Sequence, residues 1–474
     1  MSVTPNGQAP GVNHSPSPQP PVPSPQPSSL RRELGLFSAA LLVVGGIIGS
    51  GIFFTPTETA RALPTAGLVF LVWAVGGVVA LAGALTYAEL GAMMPDAGGA
   101  YVYIREAFGK LPAFLYGWMA LLSIGTGALA AVALGFAGYA GRFVDLMPLG
   151  GPIAVAAATI AVLTATNYFG IKPGALVQNV LAVAKIAALA ALILGGFALW
   201  AKIGAPPPVA DAPTPRGSLA SGLAAAFVAV LFTIGGWQQM NMVAGEIRDP
   251  ARTIPRALAL GIAIVIACYL GANAVYLHAL GRDGLAASSA VAADTATRLV
   301  GSMGATLISV AAMLSILGFV NVVILATPRI FFAMAKDGVF LQAAARVHPR
   351  FGSPHVSVVI MGVWAIALLV ITRGRIGDLL SGVVFADWIF FGLGAASVFV
   401  LRRTRPEAPR PYRAWGYPIV PGFFVVAAMF GIVSAYVASL RTSLLGTAIL
   451  LVGVVVFYAA QQRHRVPRAS PSEG

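Results

Sequence analysis

The sequence is short of charge: Asp, Glu, Lys and Arg make up 10% of its 474 residues, against about 25% in an ordinary soluble domain. So few ionic groups cannot cover the water-facing surface this length would need, which excludes a string of soluble domains. Cysteine is nearly absent as well. The one cysteine, Cys268, lies inside an apolar run, so there is neither a disulfide framework nor a thiolate cluster for a metal, and Cys268 reads as a small buried hydrophobe. Of the five histidines, His14 and His464 are near the chain ends, His348 and His355 share one loop and His278 closes an apolar run. None is paired at metal-ligand spacing, and neither a metal nor a cofactor is expected. The chain also lacks HExxH and GxxxxGK[ST], the marks of a membrane zinc protease and of a nucleotide-driven machine. A membrane enzyme is left as a remote alternative and a primary pump is disfavoured; a channel is disfavoured because no repeated carbonyl filter is visible.

Apolar length is what the chain has in abundance. With 58% hydrophobic residues and a mean hydropathy of +0.84, most of it must be solvated by lipid. Residues 1–33 are Pro/Ser/Gln-rich and read as a disordered cytoplasmic tail. They lack the charged start, short apolar core and cleavage site of a signal peptide, so the first apolar run is expected to stay as a span. Twelve runs follow, near 36–60, 66–92, 112–141, 152–170, 174–201, 218–245, 256–280, 302–332, 353–372, 377–401, 418–440 and 442–461. Most exceed the ~20 residues a spanning helix requires. The short alternating strands of a barrel are missing, so an all-α membrane protein with twelve transmembrane helices is expected.

The net charge of +14 could suggest nucleic acid, but the basic residues sit in short clusters between apolar runs rather than in one stripe, and no nucleic-acid partner is expected. With the N-terminus inside, the inner segments carry twenty Lys and Arg and the outer ones nine, with Lys185 alone inside a span. That bias puts both termini in the cytoplasm of a multi-pass protein of the cell inner (plasma) membrane.

Two of the runs are interrupted by small residues. The first holds Val44-Gly45-Gly46-Ile47-Ile48-Gly49-Ser50-Gly51-Ile52-Phe53, and the sixth holds Phe232-Thr233-Ile234-Gly235-Gly236-Trp237 at a comparable depth. Either alone could be helix packing, since Gly45 and Gly49 form a GxxxG pair. Together they open two sets of five spans, and an odd number inverts the second set. Broken helices in matching places of inverted repeats mark the binding site of a secondary transporter. Unwinding frees amides at one half-helix end and carbonyls at the other, which suits the carboxylate and ammonium of an amino acid.

These segments resemble a known family. Gly46 to Phe53 (GIIGSGIF), Gly235-Gly236-Trp237 with Glu246 to Pro255 (EIRDPARTIP), Pro95 to Gly109 (PDAGGAYVYIREAFG) and Arg410 to Pro418 (RPYRAWGYP) are similar to the amino acid–polyamine–organocation superfamily, most of all to its L-type amino acid transporter branch. The resemblance spans roughly residues 34 to 460. It implies a LeuT-like fold: a first repeat over 34–201, an inverted second repeat over 218–401, two further helices over 402–461 and a cytoplasmic tail from 462 to 474. It also implies that Ile47, Ser50 and Gly51 in span 1, with Phe232, Thr233 and Gly235 in span 6, contact the substrate's amino and carboxyl groups, and that Phe232 gates the site from outside. The GGW run in such transporters is often followed by Asn, whereas Gln238 stands here. Heavy-chain partners of animal relatives attach through a cysteine in the outer loop after span 3; Arg142 to Pro152 has none, so no disulfide-linked heavy chain is implied.

Two ionisable groups fall inside spans. Lys185 lies about eleven residues into span 5, roughly 16 Å deep at 1.5 Å per residue, too far for its ammonium to reach the interface. It must face the protein interior. Its ammonium can be a structural donor to carbonyls at a helix break or a fixed cation where sodium sits in sodium-coupled relatives; the second is expected, because sodium-independent members of the family look similar at this lysine. Asp387 in span 10 is either a proton-carrying carboxylate or a hydrogen-bonded helix acceptor. Glu58 and Glu89 are expected at ordinary interfacial positions. The expected function is sodium-independent exchange of neutral L-amino acids by alternating access, because neither break contains an acidic side chain. A cationic amino acid or polyamine antiporter and a proton-coupled symporter are the alternatives.

Overall fold

In the computed structural model, residues 30–465 are described apart from 211, 216, 376 and 439, and the side chains of 377–384, 438 and 463–465 are not described. The expected terminal segments 1–33 and 462–474 therefore lie outside the described residues except for 30–33 and 462–465. Among the described residues there is no β-strand beyond an isolated bridge between Leu34 and Ile247. Eleven helices are long and apolar enough to cross a membrane, and a twelfth, His355–Ile371, is shorter and equally apolar in character. The protein has the LeuT-like fold: among the described residues it has twelve spans, the first and sixth broken.

Span 1 is two helices, Leu36–Ile47 and Gly51–Ala62, separated at 48–50. Span 6 runs as Leu219–Ile234, opens at 235–238 and resumes for one turn at Gln239–Met242. The other spans are Ala66–Met93 (span 2), Lys110–Ala140 (span 3), Gly151–Tyr168 (span 4), Ile171–Ala198 (span 5), Pro250–Ala287 (span 7, kinked near its end at Gly281, whose φ of 67° and ψ of 175° are not helical), Ser302–Ala326 (span 8), His355–Ile371 (span 9), Gly377–Thr404 (span 10), Ile419–Ala438 (span 11) and Leu440–Arg465 (span 12). Three shorter helices do not follow from apolar length: Ala100–Phe108, Val291–Val300 and Pro328–Lys336. Their periodicity is amphipathic, which suits helices lying against the ends of the bundle.

The face carrying Leu34, here called proximal, is tied shut. Glu33 and Leu34 donate their amides to the Glu246 carbonyl at 2.8 and 2.9 Å, and the Arg248 amide returns to the Leu34 carbonyl at 2.8 Å. Arg329, only 1% exposed, grips the Glu246 carboxylate with Nε at 2.7 Å and Nη2 at 3.1 Å and gives a further bond to the Leu325 carbonyl. Beside it Asp337 takes hydrogen bonds from Tyr101 and Arg105. Burial alone would raise the Glu106 carboxyl, but hydrogen bonds from Arg405 and Arg105 outweigh it and hold that group below its ordinary value.

Glu89 corrects the expectation of an interfacial carboxylate. It is 1% exposed and anchors the segment after span 10, accepting from Arg402 Nε and Nη2 at 2.9 and 2.6 Å and from the Ala414 amide at 2.6 Å. Arg410 lies 3.4 Å away. Glu58 does stay at the surface, paired with Arg61. On the opposite, distal face, Arg61 and Arg282 donate to the Ala286 and Leu63 carbonyls, which staples span 1 to span 7.

Removing one partner of a buried pair strands the other charge, at a cost of about 3–5 kcal/mol. Glu246→Ala should therefore lower the melting temperature of the detergent-solubilised protein steeply, whereas Glu58→Ala, at the exposed pair, should leave it near the parent. Thermal unfolding followed by tryptophan fluorescence measures both.

Candidate functional site

The two breaks meet backbone to backbone. A methyl group built on Gly46 would lie 2.6 Å from the Gly236 carbonyl oxygen, and one built on Gly236 would lie 2.0 Å from the Gly46 carbonyl oxygen. Gly236 also has φ +105°, a conformation side chains rarely adopt. Here glycine is required twice, for conformation and for approach. Gly235 differs: a methyl there meets nothing closer than 3.6 Å. The pairing that demands glycine is thus Gly46 with Gly236, while Gly235, named in the sequence as a substrate contact, lines the cavity beside it. Gly51 is tight as well, since its methyl would sit 2.5 Å from Thr233.

The groups released by the breaks are largely accounted for. Lys185 Nζ, 1% exposed as a residue, donates to the carbonyls of Ile48 at 2.5 Å, Ser315 at 3.2 Å and Gly45 at 3.4 Å. Those three acceptors belong to spans 1 and 8, so one ammonium joins the broken helix to span 8. Ser315 Oγ adds contacts to the Ile48 and Gly49 carbonyls at 3.1 and 2.9 Å. The Tyr269 hydroxyl of span 7 reaches the Ile47 carbonyl at 3.0 Å and the Thr233 carbonyl at 3.3 Å, bridging the breaks. Thr55 and Thr233 share a hydroxyl contact of 2.5 Å. Gln238 folds back to accept from the Gly236 amide at 2.9 Å, which gives that amide a role in holding the span 6 break.

A cavity of about 100 Å³ lies against both breaks. The six residues singled out in the sequence, Ile47, Ser50, Gly51, Phe232, Thr233 and Gly235, all line it, as do Gln238 and Asp387. Lys185 is not among the lining residues; it acts from behind the break. Sequence reasoning missed the remaining wall: Tyr116, Ala120 and Ile124 of span 3, Phe319, Val323 and Thr327 of span 8 and its end, and Trp388 and Phe391 of span 10. One local feature marks that wall. Span 3 turns from α to π geometry over Ala120–Ile124, a bulge common at functional sites, but the sequence there, ALLSI, carries no proline or glycine to announce it.

A second, larger cavity of about 390 Å³ adjoins the first on the distal side, lined by Phe54, Tyr139 and Arg142 and sharing Ser50, Val132 and Phe232 with it. The central cavity therefore opens toward the distal face while the proximal face is closed. Phe232, 44% exposed, stands at the boundary between the two.

A polytopic helical bundle with two broken helices crossed beside a central cavity, open to one face and sealed from the other, is a membrane transporter. The comparisons with known proteins agree. The sequence profile of the amino acid permease family matches residues 34–459, and the chain belongs to that family, within the amino acid–polyamine–organocation superfamily. Among curated proteins, the serine/threonine exchanger SteT of Bacillus subtilis (strain 168) is 31% identical over 447 residues, covering 92% of this chain and 98% of its own. The human large neutral amino acids transporter small subunit 2 is 32% identical over 452 residues, covering 91% and 80%. The human cystine/glutamate transporter is 29% identical over 462 residues, covering 96% and 89%.

The crossing gives a direct expectation. Gly236→Ala should cost roughly 1–3 kcal/mol or more through strain and overpacking, with loss of transport, while Gly235→Ala should melt near the parent. Melting curves of the two purified variants make the comparison.

Proposed function

We propose that this protein is a sodium-independent exchanger of L-amino acids, with neutral ones as its main substrates. The observation that carries the reading is the polar inventory at the crossing of the breaks. Most span 1 carbonyls are occupied by Lys185, Ser315 and Tyr269, which leaves the carbonyls at the end of Leu219–Ile234, at Leu231 and Phe232, as acceptors for a substrate ammonium. The amides of Gly51 and Ile52 at the start of Gly51–Ala62 have no intrahelical acceptor, that of Phe53 being taken by the Ser50 carbonyl at 3.0 Å, and they carry the positive end of the helix dipole, where a carboxylate binds. A zwitterion is thus held without any charged side chain at either break. In this reading Ile47, Ser50, Gly51, Phe232, Thr233 and Gly235 surround its backbone.

Alternating access follows from the same layout. The site is reached from the distal side past Phe232 and closed below by the Glu246–Arg329 pair. Moving spans 1 and 6 against the rest would release that pair and bring Phe232 over the substrate. The domain reading, two inverted repeats over 34–201 and 218–401 followed by two additional helices, makes such a rocking motion natural. The excess of Lys and Arg on the proximal side makes that side cytoplasmic and the distal side external, in the plasma membrane. Phe232→Ala should lower exchange far more than it lowers the amount of protein in the membrane, which labelled-substrate counterflow normalised to protein content will reveal. Unchanged exchange would remove Phe232 from the gate.

Sodium independence rests on Lys185. In sodium-coupled transporters of this fold a cation between span 1 and span 8 joins moving and fixed helices; here an ammonium bonded to carbonyls of both spans supplies that charge permanently. Sodium would meet like charge and occupied acceptors. Uptake into liposomes should be equal in sodium, potassium and choline media. Lys185→Ala should abolish most of it, because carbonyls buried in the core lose their donor, at about 1–3 kcal/mol for each group left unsatisfied. A steep rise of parental uptake with a sodium gradient would sink this assignment.

A further inference from the structure

The breaks hold the two ends of an amino acid backbone, so its side chain must project toward the wall made by spans 3, 8 and 10. That wall is apolar at Ala120, Ile124, Val323 and Ile330, and its one formally charged group is the Asp387 carboxylate. The acidic residue missing from both breaks in the sequence is therefore present in the cavity, brought by a different helix. The other buried or half-buried carboxylates at the proximal face are matched by cations, Glu33 by Lys172, Glu89 by Arg402 and Arg410, Glu106 by Arg105 and Arg405, Glu246 by Arg329 and Asp337 by Arg105, whereas Asp96, Asp145, Asp249, Asp294 and Glu407, none of them lining the central cavity, have no ion pair with the described residues. Among the described residues no Lys, Arg or His forms an ion pair with Asp387. The phenol of Tyr116 on span 3 lines the same cavity, and a neutral hydroxyl cannot neutralise a carboxylate. Lys185, the other ionisable group in mid-membrane, is committed to carbonyls of spans 1 and 8.

An intramembrane carboxylate that faces a substrate cavity and has no protein cation is costly unless something that enters the cavity compensates it. We propose that Asp387 is the specificity-determining residue of the side-chain subsite, pairing with the ammonium or guanidinium end of a cationic amino acid. The cavity then carries lysine-like or arginine-like substrates beside neutral ones, and discriminates among side chains by charge at their far end. This assignment rests on the cavity being the amino acid site.

The test compares L-lysine with L-norleucine, which differ by the terminal ammonium alone. The full-length protein is reconstituted in liposomes loaded in parallel with labelled L-serine, L-threonine or L-leucine, and efflux driven by each external amino acid is titrated. The parent should exchange both. Asp387→Asn should lower the lysine-to-norleucine ratio of apparent affinities by about tenfold or more, the effect of losing ~1.4 kcal/mol or more of charge pairing. Asp387→Glu, which keeps the charge, should largely preserve the ratio, an outcome a merely structural role would not produce. A parent that exchanges norleucine and excludes lysine, a reading independent of how any variant folds, overturns the proposal, as does an unchanged ratio in Asp387→Asn. A parent that exchanges none of the amino acids overturns the transport reading itself and this assignment with it.

Discussion

The closest constraint in the molecule is the contact of two peptide backbones, at Gly46 and Gly236, in the middle of a membrane bundle. Two chains can approach to this distance only where neither carries a side chain: Gly46 stands in the last turn of Leu36–Ile47, just before the span 1 break, and Gly236 within the opened segment of span 6. An unwound backbone in lipid is intolerable unless its polar groups are satisfied within the protein. Much of the remaining polar structure answers that demand. Lys185, Ser315 and Tyr269 supply donors to the carbonyls of span 1, Gln238 accepts the Gly236 amide, and Trp237 wedges among Tyr87, Phe391 and Phe424 to hold the strained turn in place.

Donors that belong to different helices bind the break to its surroundings through a small number of bonds instead of a continuous helical ladder. Tyr269 joins both breaks, and Lys185 joins span 1 to span 8. The proximal closure is built differently, from main-chain pairing of Leu34 with the segment after span 6 and from a buried arginine–carboxylate pair. Buried ionic contacts of this kind are sensitive to the removal of either partner and add little net stability as pairs.

The legibility of the sequence was uneven for physical reasons. Broken helices show because two glycine-rich interruptions stand at matching places of the chain, and the six residues named from the family motifs line one cavity beside the breaks. Lys185 was legible because no lysine survives at that depth without partners. Glu89 was misplaced: a carboxylate near a span end looks interfacial until the arginines of a segment more than three hundred residues later close over it. Ala120–Ile124 was invisible, since a π turn is selected by packing and not by composition. That Gly236 is the residue of span 6 pressed against span 1 was not legible either, because only the crossing geometry says which of two adjacent glycines touches the other helix.

Apolar run length, basic-residue bias and the placement of small residues are properties of single segments, and lipid reads them one segment at a time. They determined by themselves that this chain is a bundle of membrane helices with two interruptions, and the spacing of its motifs determined the family. Which carbonyl each donor takes, how Asp387 comes to face a cavity whose breaks contain no acid, and which face of the bundle is open were decided only by the tertiary structure. Those are relations between helices far apart in sequence, fixed by the requirement that every buried polar group find its partner across the bundle.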